Sequence, residues 1–312
     1  MTMTTLPLNK IQTASPGLGD AGQLSVWKPT ADERILIFAP HPDDESLAAG
    51  GVIASMWQDR PESQIRVIIA TNGDASYTTA LFHGSHTFTK RHFQSIAIAR
   101  QQESLTALTI LGLYESQICF WGFPDRGLLQ LRQKYWGREA AYRSPATGFC
   151  RAEQAINSPP LQYNGMNLLR LIQDELRTFR PTTIIFPHPQ DAHPDHQTLA
   201  FLTLFAAGTQ YARRTFPQML AYRMWSGNKF WMTGAHAGKN AKATLSQNAP
   251  QGEWKLFPLS KSVREQKAIA LGCYRSQDFA AGQLLENSAK NEQEIFALFS
   301  PALRYKKTDQ KQ

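Results

Sequence analysis

Four short runs, Arg34-Ile-Leu-Ile-Phe-Ala39, Gln64-Ile-Arg-Val-Ile-Ile-Ala-Thr71, Ile118-Cys-Phe-Trp121 and Thr183-Ile-Ile-Phe186, are almost continuously apolar and rich in β-branched or aromatic residues. Such a run reads as a strand buried on both faces, which requires other elements to cover both sides of its sheet. Between these runs the pattern turns helical: residues 47–57, residues 89–111 ahead of Gly112, residues 168–179 ahead of Pro181, and residues 195–207. A further strand-like run covers residues 218–225, and the capping-box spacing of Ser262 and Glu265 opens a helix over residues 262–274. Strands alternating with helices predict an α/β, doubly wound fold with a mainly parallel sheet and helices on both faces.

Two stretches hold no period and read as long loop insertions. Residues 126–165 carry Tyr135, Trp136, Tyr142 and Phe149 among prolines, which suggests a binding lid, and residues 226–252 are rich in Gly, Asn and Ala. Residues 1–30 read as a poorly ordered polar leader, 31–300 as one domain and 301–312 as a basic tail. A hydrophobic share of 42% against 19% charged residues excludes a disordered or collagen-like chain. No run approaches the roughly 18 consecutive apolar residues of a membrane span, and no secretory signal core opens the chain, so the expected location is cytoplasmic. Lys plus Arg, 33, exceed Asp plus Glu, 25, but the arginines are scattered and part of the excess sits in the tail, so no nucleic-acid partner is expected. Cys119, Cys150 and Cys273 are too far apart for a thiolate zinc site and read as free thiols.

In open parallel sheets, ligands bind beyond the carboxyl ends of the strands. The first run is followed there by Pro40-His-Pro-Asp-Asp-Glu45, and the fourth by Pro187-His-Pro-Gln-Asp-Ala-His-Pro-Asp-His196. Both loops set imidazoles and carboxylates between prolines, which stiffen the backbone. A helix N-terminus would account for the acids, which oppose its dipole, but not for the histidines. His41, Asp44 and His196 would supply a two-histidine, one-carboxylate metal set with a position open for water, toward which Asp43 would point. His188 stands directly after a strand, with a substrate or supporting role and a ligand exchange with His193 or His196 both open. His83 and His86 lie in a polar loop, and His92 and His236 read as surface residues.

Pro40 to Glu45, Gly50-Gly51 and the later His193-Pro-Asp-His196 resemble the PIG-L/LmbE family of zinc-dependent N-acetylglucosaminyl deacetylases. Thr71 to Asp74, Arg100 with Glu103, Gly122 to Asp125, and Lys267 to Gln277 extend the resemblance over residues 34–277. It implies a Rossmann-like fold, one Zn2+ per chain with Fe2+ as the alternative, and hydrolysis of the N-acetyl group of a small-molecule sugar conjugate or glycoconjugate. His41, Asp44 and His196 match the metal ligands and Asp43 the general base. His193 matches the imidazole that stabilises or protonates the tetrahedral intermediate, and it is expected to act protonated, with Asp195 orienting its ring. Arg100 and Asp125 match substrate contacts, against a competing reading as buried ion-pair or helix-face partners. The rival functions are a metal-dependent phosphoesterase, commonly a two-metal chemistry, and a non-catalytic carbohydrate-binding protein. Retention of Asp43 and His193 argues against the second, since binding alone needs no base.

Overall fold

The computed structural model describes residues 24–30, 32–59, 64–82, 88–137, 141–212, 215–226, 229–230 and 253–299. The first half of the chain forms β1 (Leu24–Val26), β2 (Arg34–Ala39), α1 (Asp44–Asp59), β3 (Gln64–Thr71), α2 (Tyr77–Phe82), α3 (Lys90–Ile110), β4 (Ile118–Phe123) and α4 (Leu128–Gln133). The second half forms α5 (Gly165–Phe179), β5 (Thr183–Pro187), α6 (Pro194–Gln210), β6 (Gln218–Tyr222), and a short hairpin of β7 (Trp225–Ser226) and β8 (Lys229–Phe230). It then continues with β9 (Trp254–Pro258), α7 (Lys261–Leu271), α8 (Asp278–Lys290) and β10 (Gln293–Phe299).

Eight strands make one sheet in the order β1-β9-β10-β6-β5-β2-β3-β4. The pairs β6-β5-β2-β3-β4 are all parallel, whereas β10 runs antiparallel to both β6 and β9. Side-chain alternation explains why the parallel strands are apolar throughout. Ile35, Ile37 and Val67 face α1, α3 and α7 on one side, while Leu36, Phe38 and Ile68 face α5 and α6 on the other. The chain lays down β2, β3 and β4 outward and then returns to the opposite side of β2 with β5. That reversal makes a switch point between β2 and β5, where a crevice opens beyond the strand ends.

Four features differ from the sequence expectation. Residues 24–27, assigned to the leader, belong to the sheet: β1 pairs with β9, and Trp27, 5% exposed, packs against Phe257 and Phe296. The flank of β9, α8 and β10 was not expected, because β10 carries a charged Glu294 at a buried position and β1 is only three residues long. Helix α7 is capped by Ser260, whose hydroxyl accepts the Val263 N–H at 3.2 Å, two residues before the expected start. The segment 126–165 is packed along the sheet edge: Phe120 and Ile156 exchange both backbone hydrogen bonds at 2.9 Å, and the Tyr163 hydroxyl donates to the Gly122 carbonyl at 2.8 Å. It thereby covers the β4 edge, which would otherwise present unpaired backbone groups. Most of 226–252, the tail 301–312, His83, His86 and His236 lie outside the described residues. Among the described residues, no helix is long and apolar enough to cross a membrane.

Candidate metal centre and active site

The loop after β2 is pinned before its chemistry begins. The amide and hydroxyl of Thr71, at the end of neighbouring β3, both donate to the Pro40 carbonyl at 2.9 Å. Asp43 then adopts φ 120°, outside the regions open to a side chain at little cost and worth about 1–3 kcal/mol of strain. Its surroundings enforce the shape. The Asp43 N–H donates to Glu45 Oε2 at 3.0 Å, and Arg100 donates to the Pro42 carbonyl at 2.7 Å, to Asp43 Oδ2 at 3.2 Å and to the Gly73 carbonyl at 2.9 Å. Gly73, at φ 60°, is required here, since a Cβ would come within 2.0 Å of the Arg100 guanidinium.

Helix α6 delivers the second half of the site. His193 is its N-cap, and Nδ1 of that ring accepts the Asp195 N–H at 3.2 Å. One turn further, His196 is fully buried. Asp44 Oδ2 joins the two loops, lying 3.1 Å from His41 Nδ1 and 3.2 Å from His196 Nε2. His41, His193 and His196 also bring ring nitrogens within 4.8 Å of one another, so His193 stands at the same centre. Asp191 backs the group: Oδ2 lies 3.4 Å from His196 Nδ1 and accepts the amides of Met224 and Trp225, while Oδ1 accepts that of His193.

These residues fit a divalent cation. Both ring nitrogens of His196 are buried without an aligned hydrogen bond, an arrangement that a folded protein rarely leaves uncompensated. Two imidazoles and a carboxylate are suitable donors for zinc or ferrous iron. Burial would raise the Asp44 carboxyl, but the imidazoles of His196 and His41 outweigh it and hold it well below the usual carboxylate range. On Asp43 burial prevails and, with Asp44 and Glu45 nearby, raises it to about 7 against the pull of Arg100. A bound cation would act in the same direction as Arg100 and favour the ionised base. Burial and the neighbouring His41 and His196 lower His193 to about 4, which keeps its ring neutral, where the sequence reading expected it protonated. With Nδ1 accepting an amide, the neutral ring carries its proton on Nε2.

Three residues read from the sequence sit differently from expectation. His188 leaves the cluster: its ring stacks on Trp254 with centroids 6.3 Å apart, meets the edge of Phe299, and accepts the Gln190 N–H on Nδ1 at 3.0 Å. A substrate or ligand role for it is therefore withdrawn, because a residue directly after a strand can turn into the core as readily as into the crevice. The Asp195 carboxylate does not orient His193; it lies 3.4 Å from His41 Nε2 and accepts the amides of Arg126 and Leu128. Arg100 is 5% exposed and spends one terminal nitrogen on the Asp43 loop and the other on the Gly73 carbonyl, so it takes the ion-pair reading. Asp125, 8% exposed, faces His41 Nε2 at 3.3 Å. Sequence reasoning assigned no role to Asp191, although it lies inside the quoted loop, nor to the brace on Glu45. That carboxylate accepts the hydroxyls of Ser104 on α3 and of Tyr274 just after α7, the latter at 2.6 Å, both remote in sequence.

The sequence model of the PIG-L family, described as GlcNAc-PI de-N-acetylase, matches residues 36–207. The chain belongs to this family. Among solved structures, an N,N'-diacetylchitobiose deacetylase from Pyrococcus horikoshii aligns at 16% identity and TM-score 0.53, covering 89% of this chain and 87% of that one. A deacetylase of the A40926 pseudoaglycone aligns at 17% identity and TM-score 0.53, covering 87% and 99%. A 4-carboxy-2-hydroxymuconate hydratase from Pseudomonas putida KT2440 aligns at 16% identity and TM-score 0.50, covering 86% and 95%. At these identities the three show the shared α/β fold. Among curated proteins, none matches the sequence significantly.

Proposed function

We propose that this chain is a metal-dependent deacetylase that hydrolyses the N-acetyl group of a glucosamine-type sugar in a small molecule or glycoconjugate. The observation that carries the reading is Asp43, a carboxylate forced into a strained backbone conformation beside His41, Asp44 and His196 and gripped by Arg100. Pure binding would not require such a group, whereas amide hydrolysis needs a base. A divalent cation held by His41, Asp44 and His196 would supply Lewis acidity at the acetyl carbonyl and acidify water. Asp43 takes the proton of the attacking water. His193 donates from Nε2 to the developing oxyanion, an electrostatic contribution that requires no charge on the ring. The family description and the two deacetylases of the same fold support acetylated sugars as the substrate class. The segment 126–165 begins beside the site, where the Arg126 and Leu128 amides donate to Asp195.

The test is elemental analysis of wild type and His196→Ala, followed by a screen of N-acetylglucosaminides for released amine. About one zinc or iron per chain in wild type, its loss in the variant, and stoichiometric amine with acetate are the expected results. Wild type without metal after zinc addition and dialysis, or a metal-loaded protein that hydrates an alkene acid but releases no amine, would overturn the proposal.

A further inference from the structure

The geometry points to a division of labour around His41: Asp125 and Asp195 are positioning residues that hold its Nε2, leaving Nδ1 to face the cation. This rests on the metal-site reading above. His41 Nδ1 approaches the same Asp44 oxygen that approaches His196 Nε2, at 3.1 and 3.2 Å, so one carboxylate oxygen joins these two ring nitrogens. On the other side, His41 Nε2 lies 3.3 Å from Asp125 Oδ1 and 3.4 Å from Asp195 Oδ2.

His41, Asp125 and Asp195 bring ligand atoms within 4.8 Å of one another, as His41, His193 and His196 do, so this acidic trio competes with the His41, Asp44 and His196 set as a cation site. Hydrogen bonding favours the latter through His196 rather than through Asp44, whose Oδ2 itself accepts the His41 amide at 3.0 Å. Each oxygen of Asp195 already accepts a backbone amide, from Arg126 at 2.6 Å and from Leu128 at 3.0 Å. Asp125 Oδ2 accepts the Ala75 amide at 3.0 Å. Carboxylates occupied in this way can still accept from an imidazole N–H, but they have fewer lone pairs left for a cation. His196 Nε2, by contrast, has no aligned hydrogen bond.

A metal-ligating histidine normally donates its other ring N–H to a carboxylate or carbonyl, which fixes the tautomer and raises ligand basicity. In this chain two carboxylates share that task. Asp125 arrives from the loop after β4 and Asp195 from the start of α6, so three strand ends close on one imidazole. Asp195 further ties Arg126 and Leu128, where the segment 126–165 begins, to the same ring.

The experiment compares wild type, Asp125→Asn, Asp195→Asn and His196→Ala. Zinc is titrated into chelator-stripped protein against a chromophoric chelator, and the visible spectrum is recorded with cobalt in place of zinc. Both Asn variants are expected to bind one zinc per chain at saturation, about 10- to 100-fold more weakly than wild type. Their cobalt bands should shift while far-UV circular dichroism stays unchanged, and His196→Ala should bind none. Wild-type affinity and spectrum in Asp125→Asn would overturn the proposal, as would complete loss of zinc, which would make Asp125 a ligand. Asp125→Asn carries the test alone if Asp195→Asn, which weakens two amide contacts, does not fold. Wild type without zinc removes this inference together with the proposed function. Zinc-binding wild type with an indifferent Asp125→Asn removes only this inference.

Discussion

Two buried polar clusters bear on helix α1, and they are built in opposite ways. Under its middle, Lys267 Nζ lies 2.6 Å from Glu294 Oε1 and donates to the Leu47 carbonyl at 2.9 Å, while Glu294 accepts the N–H groups of Gly51 and Val52 at 2.6 and 2.9 Å. Gly51 makes room for this insertion, since a Cβ there would lie 2.4 Å from Leu259 and 2.9 Å from Glu294 Oε1. No side-chain nitrogen or oxygen of the pair lacks a partner. At the N-terminus of the same helix, Asp43 is strained, and both nitrogens of His196 and the Nε of Arg100 lack aligned hydrogen bonds. The difference separates a cluster that closes the structure from one left ready for a ligand: a satisfied buried network rigidifies, and an unsatisfied one persists where function uses it.

Substitutions can break or sharpen this contrast. The largest effect is expected of Asp43→Asn, with turnover lowered about 10²- to 10⁴-fold while metal content and melting temperature hold. Wild-type turnover in that variant would remove Asp43 from the base role. Lys267→Ala should act in the reverse sense. Leaving Glu294 buried and unpaired costs about 3–5 kcal/mol of stability in urea unfolding, with zinc stoichiometry unchanged; loss of zinc would show that the two clusters are one unit. For His193→Ala, kcat should fall about 10²- to 10³-fold with metal retained, and a variant purified without metal would make His193 a ligand. The smallest change in stability belongs to Asp43→Gly. Relief of the φ 120° conformation, partly offset by the flexibility of glycine in the unfolded chain, should stabilise the protein by about 1 kcal/mol while abolishing activity. Destabilisation by this substitution would mean that the Arg100 contact outweighs the strain.

The parallel half of the sheet was legible because each strand from β2 to β5 is apolar on both faces and each intervening helix keeps its period. The flank of β9, α8 and β10 was not, because Glu294 breaks the apolar run of β10 and finds its partners, Lys267 on α7 and the Gly51 and Val52 amides on α1, only through tertiary contacts. At the site, the nearness of His41 to Asp44, and of His193 to His196, could be read from local spacing. The direction in which His188 points could not, since Trp254 and Phe299, which receive its ring, come from that unforeseen flank.

By itself the sequence determined the doubly wound sheet, the two loops in which imidazoles and carboxylates gather and the residue types that could hold a cation, because these follow from periodicity and from neighbours along the chain. Only the tertiary structure decided which carboxylate serves which imidazole. Asp195 is one residue from the His193–His196 loop's end yet faces His41, 154 positions away, and Asp125 reaches the same ring from beyond β4. Those assignments depend on how the strand ends converge at the switch point between β2 and β5, a property of sheet order that no local pattern encodes.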